Sequence, residues 1–114
     1  MGWKRHIPML FLFATLMSCV IHNTKPEECK VIQAEITAVS EGTTYDIVFH
    51  DTTGDFYYIN RGVEQGLKVE ELRHEVVNKT VTLHLAKVLG GKVTSEHISQ
   101  LAVGEKIIYT EFEE

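Results

Sequence analysis

The sequence predicts a mainly β fold with one short helix. Three observations carry that expectation: apolar and polar residues alternate in five separate stretches, one intervening stretch changes to a helical period, and the order is three strands, a helix and two strands. That order is the one of the OB fold, a small five-stranded barrel closed partly by its helix, so the class is α+β and OB-like. An SH3-like barrel or an open sheet gives much the same string of elements, and both stand as alternatives.

In the first strand Ile32, Ala34, Ile36 and Ala38 fall on one side of an extended chain, with Gln33, Glu35 and Thr37 on the other. The same period returns after Glu41-Gly42, with Tyr45, Ile47 and Phe49 against Asp46 and His50. Asp51-Thr52-Thr53-Gly54-Asp55 is a turn rich in loop formers. Phe56-Tyr57-Tyr58-Ile59 forms a third strand that stops near Gly62. Val69, Leu72 and Val76 then recur at helical spacing, Glu70 and Glu71 suit the first turn, Lys68 stands at the N-cap and Asn78 is the stop. Val81, Leu83 and Leu85 alternate with Thr80, Thr82 and His84 in a fourth strand. The fifth is Lys106 to Phe112, apolar on both sides as expected of a strand covered twice. Leu89 to Gly104, with Gly90-Gly91, is read as a long connection in which His97-Ile98-Ser99-Gln100-Leu101 adds a short strand.

The start of the chain reads as an export leader. Lys4 and Arg5 precede eleven uncharged, mostly apolar residues, Ile7 to Met17, the length of a signal-peptide core. A transmembrane helix needs about 20 apolar residues, and the chain turns polar at His22-Asn23-Thr24-Lys25. Leu16-Met17-Ser18-Cys19 resembles the lipobox of bacterial lipoproteins, with Met17 a less usual occupant of its position. The resemblance implies cleavage before Cys19, a diacylglycerol thioether on its sulfur, and acylation of its amino group in many bacteria. Residues 1–18 are then the signal peptide, 19–29 a lipidated tether and 30–112 a β-rich domain. Two or three acyl chains hold a soluble domain on a membrane stably. Val20, in place of Asp after the lipid site, resembles the sorting pattern for the outer membrane, facing the periplasm. The alternative is an ordinary secreted protein. Myristoylation fits less well, because His6 stands where that pattern has Ser or Thr.

Removing 18 of the 114 residues leaves 96, and with Lys4 and Arg5 gone the balance moves from −5 to −7. An acidic chain without a basic stripe repels phosphate backbones, so nucleic acid is not an expected partner. If Cys19 is a thioether it cannot form a disulfide, which leaves Cys29 as a buried thiol or an intermolecular bridge. Without lipid, Cys19 and Cys29 could close a short loop.

Gly54-Asp55-Phe56-Tyr57-Tyr58-Ile59-Asn60-Arg61-Gly62-Val63-Glu64-Gln65-Gly66-Leu67 forms a moderately specific stretch. Glu70-Glu71-Leu72, Asn78 to Leu83, His97 to Leu101 and Ile108 to Glu111 follow it. Together they resemble a family of small uncharacterised bacterial proteins sharing Tyr-Ile-Asn-Arg-Gly. The resemblance runs from Val31 to Phe112 and implies no catalytic role. The connection around Gly90-Gly91 departs from the family's pattern by being short and lacking aromatic and proline residues.

Chemistry motifs are sparse. His74-Glu75-Val76-Val77-Asn78 has Asn78 where a zinc-protease helix needs its second His. Gly91-Lys92 lacks the glycine and hydroxyl of a phosphate loop, and nothing near Cys29 activates it as a nucleophile. His50, His84 and His97 have no tight ligand spacing and read as scattered histidines. No catalytic or metal residues and no cofactor are assigned. The candidate binding residues are Tyr57, Asn60, Arg61 and Gln65: Tyr57 and Arg61 share strand parity, and Asn60 and Gln65 add amides beside them. The plainer reading puts the aromatics in the core and pairs Arg61 with Glu64. The sequence thus favours a lipid-anchored, noncatalytic module of the bacterial cell envelope that binds a protein or envelope polymer. The alternative is a small periplasmic hydrolase or metal-dependent enzyme built from dispersed His, Asp and Glu residues.

The leader generates the first prediction. Intact mass spectrometry of membrane-extracted protein is expected to show loss of residues 1–18 and added acyl mass on Cys19. A soluble, unmodified product beginning elsewhere would refute lipidation.

Overall fold

The computed structural model describes residues 25–113. The leader, Cys19 and most of the tether lie outside the described residues. A 3-10 turn over Pro26–Glu28 enters β1 (Lys30–Glu41), followed by β2 (Ile47–Asp51), β3 (Phe56–Ile59), α1 (Val69–Val76), β4 (Thr80–Val88), β5 (Val93–Val103) and β6 (Lys106–Thr110). Antiparallel pairing joins β3 to β2, β2 to β1, β1 to β4 and β4 to β5, and a parallel pairing of β3 with β5 closes the ring. The result is a closed five-stranded mixed barrel with one helix and with β6 outside the ring. It is the OB-like architecture rather than an open sheet.

β1 serves two partners. Lys30 to Glu35 pair with β4, and Ile36 to Glu41 with β2. The register with β2 shifts between Ile36 and Ala38, so Thr37 is the additional residue of a bulge. The bulge changes the parity read from the sequence: Ile36 and Val39 are buried, whereas Ala38, expected beside Ile36, faces outward. Tyr45 also departs from expectation. It lies in the 3-10 turn Thr43–Tyr45 with a positive φ of 66°, and is exposed, while Ile47 and Phe49 behind it are fully buried.

The core combines inward residues of every ring strand with the helix. Ile36, Ile47, Phe49, Ile59, Leu83 and Leu101 have no exposed surface. Leu72 and Val76 turn the apolar side of α1 into this core, as the helical spacing predicts. Lys68 supplies no side-chain cap, so the helix depends on its packing. At its exit Asn78 adopts φ 68° and donates its N–H to the Ile36 carbonyl at 2.7 Å, while the Ile36 N–H donates to Lys79 at 3.1 Å. Arg73 Nε reaches the Val39 carbonyl at 3.0 Å. The helix is thereby bound to β1 on both sides of the bulge.

The final barrel strand is not the one expected. Val93–Val103, read as a connection with a short strand inside it, is an eleven-residue strand and completes the ring. Ser99 is bulged between Leu85–Ile98 and His84–Gln100, and adjacent buried pairs Ile98-Ser99 and Leu101-Ala102 break the alternation that marks a strand in sequence. The predicted fifth strand forms β6, paired with β5 alone, and Ile107 is 55% exposed rather than covered on both sides.

The fourth strand follows the predicted register, with Leu83 fully buried and Thr82 partly exposed. Leu83→Ala is expected to destabilise the domain by about 2–5 kcal/mol through lost burial and a residual cavity. Thr82→Ala should change stability by about 0.5 kcal/mol or less. Denaturant midpoints of the two variants check this, and equal effects would contradict the assigned register.

Candidate binding face

β3 is four residues long, so its alternation decides what the barrel displays. Tyr57 and Ile59 point inward opposite Phe49 and Ile47. Phe56 and Tyr58 point outward, opposite His50 and Val48. Because Tyr58 also pairs with His97 across the closing seam, Val48, Tyr58 and His97 form one outward row, and His50 and Phe56 form the next. Phe56 is 49% exposed. The Tyr58 and His97 rings meet edge to face with centroids 5.7 Å apart, a favoured aromatic geometry.

A polar chain holds this row at its β5 side. His97 Nε2 lies 2.9 and 3.1 Å from the two Glu111 carboxylate oxygens. The Tyr109 hydroxyl donates to Glu111 Oε2 at 2.7 Å, and Gln65 Nε2 donates to the Tyr109 hydroxyl at 3.4 Å and to the Asn60 carbonyl at 2.7 Å. Burial raises the Glu111 pKa, but hydrogen bonds with His97 and Tyr109 and the attraction of His97 outweigh it and leave the carboxyl below its ordinary 4.5. Burial, followed by the bond to Glu111, drives the Tyr109 hydroxyl far upward.

The four sequence-predicted residues do not share one face. Tyr57 is 8% exposed and donates its hydroxyl to Asp51 Oδ2 at 3.2 Å. Burial, with Asp51 beside it, pushes its pKa up to about 12. Its expected outward position fails because Tyr57 has the parity of buried Ile59, and Arg61 lies beyond the strand, where strand parity no longer applies. Asn60, Arg61 and Gln65 are exposed in the following loop. Arg61 has φ 51°, its N–H donates to Asp46 Oδ1 at 2.8 Å, and its guanidinium pairs with Glu64 at 2.6 Å. Both side chains are about half exposed at 50% and 45%, so solvent screens the pair and it adds little to stability. Gly62 is required here by close packing, since a Cβ would lie 2.8 Å from Ile47 Cδ1.

Asp51 organises the opposite end of β3. Its Oδ1 accepts from Thr53 N at 3.0 Å, Thr53 Oγ1 at 2.7 Å and Asp55 N at 3.0 Å. Burial raises its pKa, but these bonds with that from Tyr57 outweigh it and bring the carboxyl below its ordinary value. The turn read in the sequence is therefore built on one carboxylate, an Asx arrangement.

Sequence reasoning missed Phe56, Tyr58, Tyr109 and Glu111 and gave His97 no site role. Phe56 and Tyr58 carried a local signal, since they take the parity opposite to Ile59. The pairing of His97 with Glu111 carried none. Cys29 and Ser99 adjoin this polar chain: the Glu111 N–H donates to the Ser99 carbonyl at 2.8 Å, and the Glu111 charge acts on Cys29. Burial pushes the Cys29 thiol up, Ser99 beside it is fully buried, and the His84 ring packs against Phe112 at 5.4 Å. Among the described residues no three His, Cys, Asp or Glu side chains are grouped to hold a metal ion.

Glu111 makes stability depend on pH. Its folded pKa lies below the ordinary 4.5, so its contribution is fully present above that value and is lost as pH falls through the lower folded one. Glu111→Gln is expected to cost about 1 kcal/mol at neutral pH and to flatten the decline below pH 4.5, read by thermal unfolding across pH. Parallel curves for variant and wild type would contradict this role. Comparison of the chain with protein-family models, with curated proteins and with solved structures finds no match in any of the three.

Proposed function

We propose that this chain is a lipid-anchored, noncatalytic module of the bacterial cell envelope that binds a protein or envelope polymer through the outer face of β2 and β3. The observation that carries the reading is the outward aromatic and histidine strip of Phe56, Tyr58, His50 and His97 on the barrel surface. A half-exposed Phe beside Tyr offers the large, amphipathic contact area that anchors interfaces. Asn60, Arg61 and Gln65 extend the strip into the loop after β3, where Asp46 fixes the Arg61 backbone and leaves the guanidinium half exposed.

Anchoring by lipid on Cys19, facing the periplasm from the outer membrane, is the part of the reading supported by the leader and lipobox alone. Among the described residues no helix is long and apolar enough to cross a membrane. One observation favours the enzymatic alternative: His97 and Glu111 form a partly exposed pair of the kind used in acid–base chemistry. Of the serines on the same strand, Ser99 is fully buried, and Ser95 donates its hydroxyl to the Ala86 carbonyl at 2.6 Å and accepts the His97 N–H at 3.2 Å rather than meeting the imidazole, which favours the binding reading over nucleophilic hydrolysis.

Capture from native envelope with the intact lipoprotein tests the proposal. A partner retained by wild type is expected to be lost by Arg61→Ala and by Phe56→Ser, while thermal unfolding shows both variants folded. Arg61→Ala should leave the thermal unfolding midpoint nearly unchanged, because the pair it breaks is screened by solvent. Capture unchanged in both variants, or unfolding caused by Arg61→Ala, would overturn the recognition role.

A further inference from the structure

The barrel ring is closed at a single pairing, Tyr58 with His97. Ahead of that point β3 and β5 border a cleft of about 220 Å³, lined by Asp55, Phe56 and Tyr57 on one side and Ser95 and Glu96 on the other. Tyr57 and Leu85 are the buried members of its lining. Its rim is open, because Asp55, Phe56 and Glu96 are all exposed.

The chemistry of the cleft is one-sided. Phe56 and Tyr57 supply aromatic surface, and Asp55 and Glu96 supply carboxylates. Asp55 accepts one long hydrogen bond, from the Thr53 hydroxyl at 3.3 Å. Among the described residues neither carboxylate is in an ion pair, whereas Arg61, Arg73 and Lys106 each hold a glutamate elsewhere on the surface. Asp51, Asp55 and Glu96 each bring negative charge to bear on Tyr57. A concave surface lined by one sign of charge beside apolar walls concentrates the field and attracts the opposite charge.

We propose that this cleft receives the side chain of a lysine or arginine from a partner chain, its aliphatic stem against Phe56 and Tyr57 and its cationic head between Asp55 and Glu96. Long basic side chains divide in this way between apolar stem and charged head, and aromatic faces add cation–π attraction. The volume suits one side chain rather than a folded segment. The exposed rim lets the partner's backbone run along the outer face of β3, where the aromatic strip lies. The assignment rests on reading that face as a recognition surface and states what the partner must offer to it.

The test titrates the isotopically labelled full chain with N-acetyl-lysine methylamide, its arginine and norleucine counterparts, and 1,5-diaminopentane, following the amide signals of Phe56, Ser95 and Glu96. The lysine and arginine probes are expected to give saturable shifts that the norleucine probe does not. Asp55→Asn with Glu96→Gln should weaken them by about tenfold. If that pair does not fold, Glu96→Gln alone, at an exposed position, should weaken them in the same direction. Equal shifts with norleucine, shifts indifferent to the substitutions, or no saturable shift overturns the proposal. Saturation by the diamine without the lysine and arginine probes also overturns it, assigning the cleft to free amines. A silent titration alongside capture still lost in Phe56→Ser would sink the cleft and leave the recognition face standing. Capture indifferent to both Phe56→Ser and Arg61→Ala would sink the face itself.

Discussion

β1 is the strand on which the rest of the structure depends, because it belongs to both halves of the barrel. One half of its length is paired with β4 and the other with β2, and the bulge at Thr37 is where one pairing gives way to the next. A bulge bends a strand and increases its twist, which lets twelve residues serve two neighbours. The Ile36 backbone at this bend also receives the exit of α1 through Asn78 and Lys79. Sheet curvature, helix position and core closure are therefore set by the same few residues.

The second constraint is the seam between β3 and β5. A four-residue strand meets an eleven-residue one in parallel at one pairing, so the surrounding side chains hold the closure. On the outside this is done by the Tyr58–His97 contact, Glu111, Tyr109 and Gln65. On the inside it is done by Tyr57 on Asp51. The same short pairing leaves the strands apart at Phe56 and Glu96, so the device that closes the ring also creates a concavity. Position and chemistry are linked there: the gap is lined by consecutive residues of each strand edge, aromatic on β3 at Phe56 and Tyr57 and acidic at the rim at Asp55 and Glu96.

Charge gives the two candidate surfaces different characters. Arg61 is neutralised by Glu64, so the loop after β3 presents amides and a paired guanidinium. The cleft beyond Phe56 keeps its carboxylates without cationic partners among the described residues. On the proposed reading a partner laid along β3 would meet an aromatic strip between a hydrogen-bonding end and an acidic end, an asymmetry of the kind that sets binding direction.

Local periodicity suffices to read β2, α1 and β4, since Ile47, Phe49, Leu72, Val76, Val81 and Leu83 bury the side their spacing assigns, and it locates β3 without deciding which way Tyr57 faces. The turn at Asp51 and the stop at Asn78 were legible for the same reason: both are short-range backbone chemistry. The proposed leader and lipid site at Cys19 rest on sequence alone and lie outside the described residues. Tertiary structure decided the rest. Bulges at Thr37 and Ser99 shift side-chain parity by one residue, and a parity shift cannot be seen in a string that lacks its partner strand. That is why Ala38 faces outward, and why local alternation marks β5 as a connection and Lys106 to Phe112 as the fifth strand. Tyr57 faces inward because β3 ends at Ile59, and strand parity does not extend from it to Arg61 in the loop. The join of His97 to Glu111, and of Asp55 to Glu96 across one cleft, arises only when distant strands are laid side by side, since neither pair is close enough in sequence for local spacing to bring it together.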